Sequence, residues 1–107
     1  MLVTTVTFTR PSTSVAFYTA TNEFNASFNN EFISSGKVLE RSSTVSANGL
    51  TLTSVNKYKS KADFDEFLAS ADGIAMKEAR LLYCVANNIT IDYAGELIHD
   101  ANDPIPH

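Results

Sequence analysis

Apolar and polar residues alternate along three parts of the chain, which is the pattern typical of half-buried β-strands. These parts are residues 2–9, residues 38–59 and residues 89–98. Between them the apolar residues recur every three or four positions, as they do along one side of an amphipathic helix. The helical stretches run from about residue 20 to 35 and from residue 60 to about 86. The pattern therefore predicts the order strand, helix, strand, strand, helix, strand.

The long middle stretch is predicted to be a β-hairpin because it contains the dipeptide Asn48-Gly49. Both residues tolerate positive φ angles, which a two-residue type I′ turn requires. Folding the two arms about this turn makes one side mainly apolar and the other rich in hydroxyl groups, and it sets the cross-strand register. The predicted pairs are Leu39 with Tyr58, Glu40 with Lys57, Arg41 with Asn56, Ser43 with Ser54 and Val45 with Leu52.

Aromatic residues at every fourth position mark the buried side of the first helix, and they are Phe24, Phe28 and Phe32. Such a stripe is far more often core packing than a ligand site. Either Thr19 or Thr21 can serve as the N-cap, and Gly36 is placed to end the helix.

The second helix is predicted to start after Ser60, an N-cap followed by carboxylates in the first turn. Asp72-Gly73 is expected to interrupt it, so that a further helical segment runs over residues 74–86. This segment is predicted to bury four apolar side chains against the sheet: Ile74, Leu81, Leu82 and Val85.

The predicted fold class is therefore α+β, a ferredoxin-like βαββαβ arrangement with a four-stranded antiparallel sheet and both helices on one face. Residues 1–99 form one domain and residues 100–107 a C-terminal tail. The sheet face turned away from the helices is rich in hydroxyl groups, and we call it the threonine face. It comprises Val3, Thr5, Thr7, Thr9, Ser42, Thr44, Thr51, Thr53, Val55, Thr90 and Asp92.

The whole span from residue 2 to 98 resembles the dimeric α/β-barrel superfamily, which includes antibiotic-biosynthesis monooxygenases and stress-responsive barrel proteins. The resemblance rests on the element order, on Phe17-Tyr18, on Ser35-Gly36-Lys37, and on the long hairpin followed by Ser60-Lys61-Ala62-Asp63-Phe64. It implies a homodimer in which two sheets face each other across their helix-free sides. The Thr- and Asn-rich style is also similar to that of small proteins of tailed bacteriophages.

The chain departs from the haem-degrading members of that superfamily, which use an Asn, a Trp and a His. It contains no Trp, and neither His99 nor His107 falls in a predicted helix. That activity is therefore not transferred to this chain.

Charge and composition exclude several partners. The net charge of −4 argues against nucleic acid, because phosphate contacts need a basic surface. No apolar run approaches the roughly 20 residues that cross a bilayer, so no membrane association is expected. The N-terminal residues lack the basic segment of a signal peptide, and the lone Cys84 suits a reducing compartment, so we expect a cytoplasmic protein.

No residue receives a catalytic role from the sequence, and we expect neither a metal nor another cofactor. His99 is interpreted as a surface histidine and Cys84 as an inert, partly buried thiol. Four polar residues interrupt the apolar side of the hairpin, which leaves two explanations open: an exposed sheet end, or a small polar pocket near Tyr58. They are Arg41, Ser43, Ser54 and Asn56.

Two hypotheses for the function follow. The first is a homodimer that acts by association, as a binding or regulatory module that can also take a protein partner. The alternative is a cofactor-independent monooxygenase-like enzyme or small-ligand-binding protein, with a cleft lined by the threonine face and closed by the second helix. In that alternative the candidate ligand-binding residues are Arg41, Tyr58, Tyr83 and Asp92.

Overall fold

The computed structural model describes the backbone of residues 1–97 and the side chains of residues 1–93. The predicted tail 100–107 and His99 lie outside the described residues. In chain order the elements are β1 (Leu2–Thr9), α1 (Asn22–Phe28), a π-helical segment (Asn29–Ile33), β2 (Val38–Val45), β3 (Thr51–Tyr58), α2 (Lys61–Ala69), α3 (Ala71–Ala86) and β4 (Thr90–Leu97).

The four strands form one antiparallel sheet in the order β2-β3-β1-β4. The two outer strands are therefore the second and the fourth in the chain, as in the ferredoxin-like arrangement. The predicted α+β class is confirmed, with the second helix divided into α2 and α3. Within residues 1–97, none of the helices combines the length and the apolar character that crossing a bilayer requires.

The hairpin register is as predicted from the Glu40–Lys57 pair to the Val45–Leu52 pair. The Nζ of Lys57 lies 3.0 Å from a carboxylate oxygen of Glu40. The register differs at its far end, because a β-bulge lets Val38 rather than Leu39 pair with Tyr58. The predicted Leu39–Tyr58 pair is therefore wrong: Val38 enters the core, and Leu39 remains 55% exposed.

The turn at Asn48-Gly49 is not the two-residue type I′ turn that the dipeptide predicts. The N–H of Gly49 donates to the carbonyl of Ser46 at 2.9 Å, and Gly49 has φ +75° whereas Asn48 does not have a positive φ. The Asn48 side chain instead accepts a hydrogen bond from the N–H of Leu50 at 3.0 Å. An asparagine that folds its side chain onto its own loop in this way closes a longer turn with the same strand register.

The first helix begins as predicted, with the N–H of Phe24 donating to the Thr21 hydroxyl at 3.1 Å. The helical stretch ends at Ile33 with Ser34 as its C-cap, and Gly36 follows in the turn with a φ of +80°, in the left-handed region. A wider π-helical turn over Asn29–Ile33 lies in the middle of the aromatic stripe. Residues four apart drift around an α-helix of 3.6 residues per turn, and the π turn reverses that drift. The rings of Phe28 and Phe32 thus remain stacked, with centroids 5.5 Å apart.

The second helix is interrupted at Ser70 rather than at Asp72-Gly73. The Ser70 hydroxyl accepts from the N–H of Gly73 at 3.0 Å and donates to the carbonyl of Phe67 at 2.7 Å. One serine thus ends α2 and caps α3. Gly73 lies inside α3 and is buried, because it packs directly against the end of α2.

The four apolar residues expected to bury α3 face the solvent, which overturns that prediction. Ile74, Leu81, Leu82 and Val85 are 54%, 51%, 64% and 69% exposed, and we call them the α3 outer stripe. The helix turns Gly73, Met76, Arg80 and Cys84 inward instead. Both sets have helical spacing, so the periodicity allowed either side of the helix to face the sheet.

Two clusters of buried side chains hold the sheet and helices together. The larger, which we call the aromatic cluster, consists of Leu2, Phe28, Phe32, Val38, Tyr58 and Phe67. The smaller consists of Phe8, Cys84 and Ile89. Since Leu2 and Phe8 are at opposite ends of β1, the clusters secure opposite ends of the space between the sheet and the helices.

Candidate functional site

Between the two clusters the structure has a cavity of about 720 Å³. Small-molecule sites in proteins usually measure about 300–1,000 Å³ and combine an apolar lining with a few polar groups. The lining has that character. It includes Leu2, Thr4, Val6, Phe8, Tyr18, Ala20, Phe24, Phe28, Arg41, Ser42, Ser43, Leu52, Ser54, Asn56, Tyr58, Lys61, Phe64, Phe67, Leu68, Met76, Lys77, Arg80 and Tyr93.

Strand alternation places one set of side chains on the floor of the cavity. Successive residues of a strand point to opposite sides of the sheet, so Thr4 and Val6 of β1 face the helices together with Ser54 and Asn56 of β3. Val6 pairs with Ser54 and Thr4 with Asn56 across these central strands. The floor thus has small hydroxyl and amide groups where a filled core would have large apolar side chains.

Tyr58 brings a phenol to one end of this floor. The residue is 3% exposed, and its ring meets that of Phe64 with centroids 4.9 Å apart. Burial raises the pKa of Tyr58 to about 12, although the charges of Arg41 and Arg80 oppose the shift. The phenol is therefore protonated at neutral pH and available as a hydrogen-bond donor.

Two arginines approach the cavity from opposite walls. The guanidinium carbon of Arg41 on β2 lies 4.6 Å from the ring centroid of Phe28. That of Arg80 on α3 lies 5.4 Å from the Phe8 centroid and 5.8 Å from the Tyr93 centroid. These distances are within the range of cation–π contacts. The Nε of Arg80 is buried and has no hydrogen-bond partner among the side chains and backbone that the structure describes.

The structure brings together two of the four candidate residues and separates the other two. Arg41 and Tyr58 line the cavity. Tyr83 instead donates its hydroxyl to the carbonyl of Ala16 at 2.6 Å and does not belong to the lining. Asp92 is exposed and pairs with Thr7 on the threonine face, on the other side of the sheet.

The polar group of the hairpin has features of both interpretations, because Arg41 and Ser43 on the edge strand are exposed and a cavity lies near Tyr58. Arg41, Ser43, Ser54 and Asn56 all line the cavity. The cleft expected on the threonine face is not where the cavity lies, and Ser42 is the one described residue of that face that reaches the lining. The alternation of the strands predicted which side chains share a face, but it did not predict that the helices stand away from the sheet here.

Sequence reasoning missed the contribution of α3 to the site. Met76, Lys77 and Arg80 line the cavity, yet a helix that buried its more apolar outer stripe would turn them toward solvent. The buried Gly73 and Cys84 share their side of the helix. The sequence did contain one signal for this inward face. Glycine and cysteine are often buried, and Gly73 and Cys84 have helical spacing with Met76 and Arg80.

Cys84 is 1% exposed, and burial raises the pKa of its thiol, an effect that the nearby Arg80 partly opposes. A thiol that resists ionisation is a poor nucleophile, which agrees with the inert role assigned to it. Within the residues that the structure describes, His, Cys, Asp and Glu side chains do not converge in groups that could hold a metal ion.

The fold is similar to solved structures across nearly its whole length. A protein of Deinococcus radiodurans, provisionally named an antibiotic biosynthesis monooxygenase, aligns with a TM-score of 0.56 over 94% of this chain and 95% of its own, at 10% identity. The chain therefore shares its fold with this Deinococcus protein. The Rv0793 protein of Mycobacterium tuberculosis gives a TM-score of 0.44 at 14% identity, over 94% of this chain and 99% of its own. No protein-family model matches the sequence, and no curated protein matches it.

At 10% identity the similarity to the Deinococcus protein concerns the subunit fold alone. It confirms the predicted arrangement of strands and helices. The similarity to bacteriophage proteins stays a prediction.

Proposed function

We propose that this protein binds a small, largely apolar molecule in the cavity between its sheet and its helices. The single observation that supports the proposal most is the cavity itself, about 720 Å³ of space beside a well-packed aromatic cluster. The cavity opens to solvent, since Arg41, Ser43 and Lys77 of its lining are exposed, so a ligand can enter it. A cleft of this size with a mainly apolar lining has the form of a small-molecule site.

The lining fits a flat or aromatic molecule with a few polar substituents. Phe24, Phe28 and Phe64 offer ring surfaces, on which an aromatic ligand can stack or pack edge-on. Ser54 and the Tyr58 phenol supply hydrogen-bonding groups on the floor. A few polar groups among apolar surroundings orient a ligand without removing the hydrophobic contribution to binding.

Titration with N-phenylnaphthylamine (NPN), an uncharged probe whose fluorescence rises in apolar surroundings, tests the proposal. We expect saturable binding of one NPN per chain. Ser54→Trp should abolish it, because the indole would occupy the cavity. The matched control is Thr53→Trp, the neighbouring position of β3 on the threonine face, which should leave NPN binding within about twofold of the native value.

The chain contains no tryptophan, so the introduced indole also reports its own surroundings. Blue-shifted emission from Ser54→Trp would verify that its indole lies in the cavity. Absence of NPN binding to the native chain, or equal binding by both variants, would contradict the proposal.

A reaction on the bound molecule is a second candidate function, favoured by the position of Tyr58. The similar Deinococcus protein is provisionally named a monooxygenase, and cofactor-independent oxygenation of an aromatic polyketide is the corresponding activity here. The protonated phenol of Tyr58 would hydrogen-bond an oxygen of the substrate. Oxygen uptake in the presence of such a substrate tests this, and an activity equal in the native chain and in Tyr58→Phe would exclude this role for the phenol.

Association into a homodimer is proposed alongside ligand binding. The threonine face is left uncovered by the helices: Thr44 and Asp92 are exposed, and Val55 is half-buried. Two such faces can pack against each other in the manner that the superfamily resemblance implies. Light scattering on the purified chain tests it, and a mass equal to that of one chain at micromolar concentration would count against it.

A further inference from the structure

The basic side chains of this acidic protein are concentrated at one place. The chain has 8 Lys and Arg residues against 12 Asp and Glu residues. Of the basic residues, Arg41, Lys61, Lys77 and Arg80 all line the cavity, which is half of the total. Among the described side chains, those of residues 1–93, no carboxylate lines it. The local charge of the site thus has the opposite sign to the net charge of the chain.

Most of this positive charge is not neutralised within the described part of the protein. Lys61 has an ion pair with Asp65, whose carboxylate oxygen lies 2.7 Å from its Nζ. For Arg41, Lys77 and Arg80 the described residues offer no ion-pair partner. The Nε of Arg80 is, in addition, a buried donor that lacks an acceptor among the side chains of residues 1–93 and the described backbone. Leaving a donor of a charged group unsatisfied is costly, so such a group is usually provided with a partner.

Two of these basic residues are arginines that border the cavity from different elements. Arg41 is on the edge strand β2 and Arg80 is on α3. Each guanidinium also lies over an aromatic ring, Phe28 for Arg41 and Phe8 for Arg80. A guanidinium group at a cavity wall attracts an anionic ligand and offers it planar hydrogen-bond donors.

We propose, on the basis of the ligand-binding function above, that the natural ligand is a small aromatic anion whose acidic group is held by the positive charge of Arg41 and Arg80 at the cavity wall. Its apolar body lies among the phenylalanines, and its carboxylate or comparable acid faces the basic side chains of the lining. Lys77 adds to the attraction at the wall of the cavity. The acidic remainder of the surface repels anions, which favours their capture at this site alone.

A matched pair of probes tests the charge separately from the cavity. Anilinonaphthalene sulfonate (ANS) has the ring system of NPN with an added sulfonate. At low salt we expect the native chain to bind ANS at least tenfold more tightly than NPN, since hydrogen bonds to charged groups are among the stronger polar contacts. The preference should decrease as the salt concentration is raised.

Substitutions then assign the preference to the arginines. Arg41→Gln and Arg80→Gln should each weaken ANS binding about tenfold while NPN binding stays within about twofold, so that NPN also verifies an intact cavity. Lys59→Gln is the control, because Lys59 is exposed and lies outside the cavity lining; it should change neither affinity. Ser54→Trp should abolish the binding of both probes.

The possible outcomes separate the two proposals. Equal binding of ANS and NPN by the native chain would overturn the anion proposal and leave the ligand-binding function standing. An equal loss of ANS affinity in Lys59→Gln and Arg80→Gln would also overturn it, because general surface charge would then explain the preference. If neither probe binds, the ligand-binding function itself is wrong.

Discussion

Two helical walls cover the sheet: α1 with its π-helical segment, and α3. They differ in the side chains that they turn toward the sheet. The first presents stacked rings that close the space: the centroids of Phe24 and Phe28 lie 5.6 Å apart, and Phe28 meets Phe67 at 5.1 Å. The second places its large apolar residues outward and turns Met76 and Arg80 toward the sheet. One wall therefore packs its rings closely, and the other leaves open space between itself and the sheet.

The difference follows from what each inward side chain can fill. A phenylalanine ring removes a large apolar area from water and packs against its neighbours. Lysine and arginine lay their aliphatic stems along apolar surface but hold the charged end toward water, so Lys77 and Arg80 cannot close the space that they face. The cavity is thus a consequence of the side chains that α3 turns inward, and two of its four basic residues, Lys77 and Arg80, come from the same helix.

Removing a ring from the closed wall should have the largest effect. Phe28 is 4% exposed and packs against Phe24, Phe32 and Phe67. Phe28→Ala should lower the free energy of unfolding by about 3–5 kcal/mol, because it removes apolar burial and leaves a void. Urea denaturation measures the loss. A loss below about 1 kcal/mol would show that the aromatic cluster does not stabilise the fold as described.

The tightest contact of the open wall should give the next largest effect. A Cβ on Gly73 would lie well under 3.0 Å from the carbonyl oxygen of Phe67, so α2 and α3 would have to separate. Gly73→Ala should therefore cost about 3 kcal/mol, whereas an alanine at an ordinary position inside a helix gains about 1 kcal/mol over glycine.

Gly36→Ala provides the control for this substitution. Gly36 has φ +80°, and a Cβ added there would have no atom beyond its chain neighbours within 4 Å. The cost at this position is therefore conformational alone, about 1–2 kcal/mol. Thermal or urea unfolding of both variants gives the comparison. A Gly73→Ala variant that is more stable than the native chain would contradict the close contact between α2 and α3.

The contrast between α1 and α3 also shows which features of the structure could be predicted from the sequence. The strands and α1 were predictable because local signals agreed with one another: alternation, a Thr21 cap and rings at every fourth position all indicate the same buried side. The turn type at Asn48-Gly49 was not predictable from the dipeptide. The Asn48 side chain accepts a hydrogen bond from its own loop, and of the two residues Gly49 alone has a positive φ. The strand register was nevertheless predicted correctly here, because the predicted turn and the observed turn both place Ser46 opposite Thr51.

For α3 the local signals conflicted, and the stronger one was misleading. The outer stripe is the more hydrophobic side, but Gly73 packs closely against the end of α2 at Phe67 and so belongs to the buried side of the helix. A contact between two helices depends on tertiary geometry, and hydrophobic periodicity does not contain it. The same limit applies to the site: strand alternation grouped Arg41 with Ser54 and Asn56, but their exposure to a cavity depended on the position of α3.

The smallest effect on stability is expected at the outer stripe of α3, where Leu82 is 64% exposed. Leu82→Gln should change the free energy of unfolding by no more than about 0.5 kcal/mol, as surface substitutions usually do.

The same variant, set beside Val55→Asp, tests which of the two uncovered surfaces mediates association. If chains associate through the threonine face, Leu82→Gln should keep the native mass in light scattering, whereas Val55→Asp, which puts a charge on that face, should yield single chains. The reverse result, single chains from Leu82→Gln and an unchanged mass from Val55→Asp, would place the interface on α3. The exposed leucines of α3, which do not line the cavity, would then form that interface.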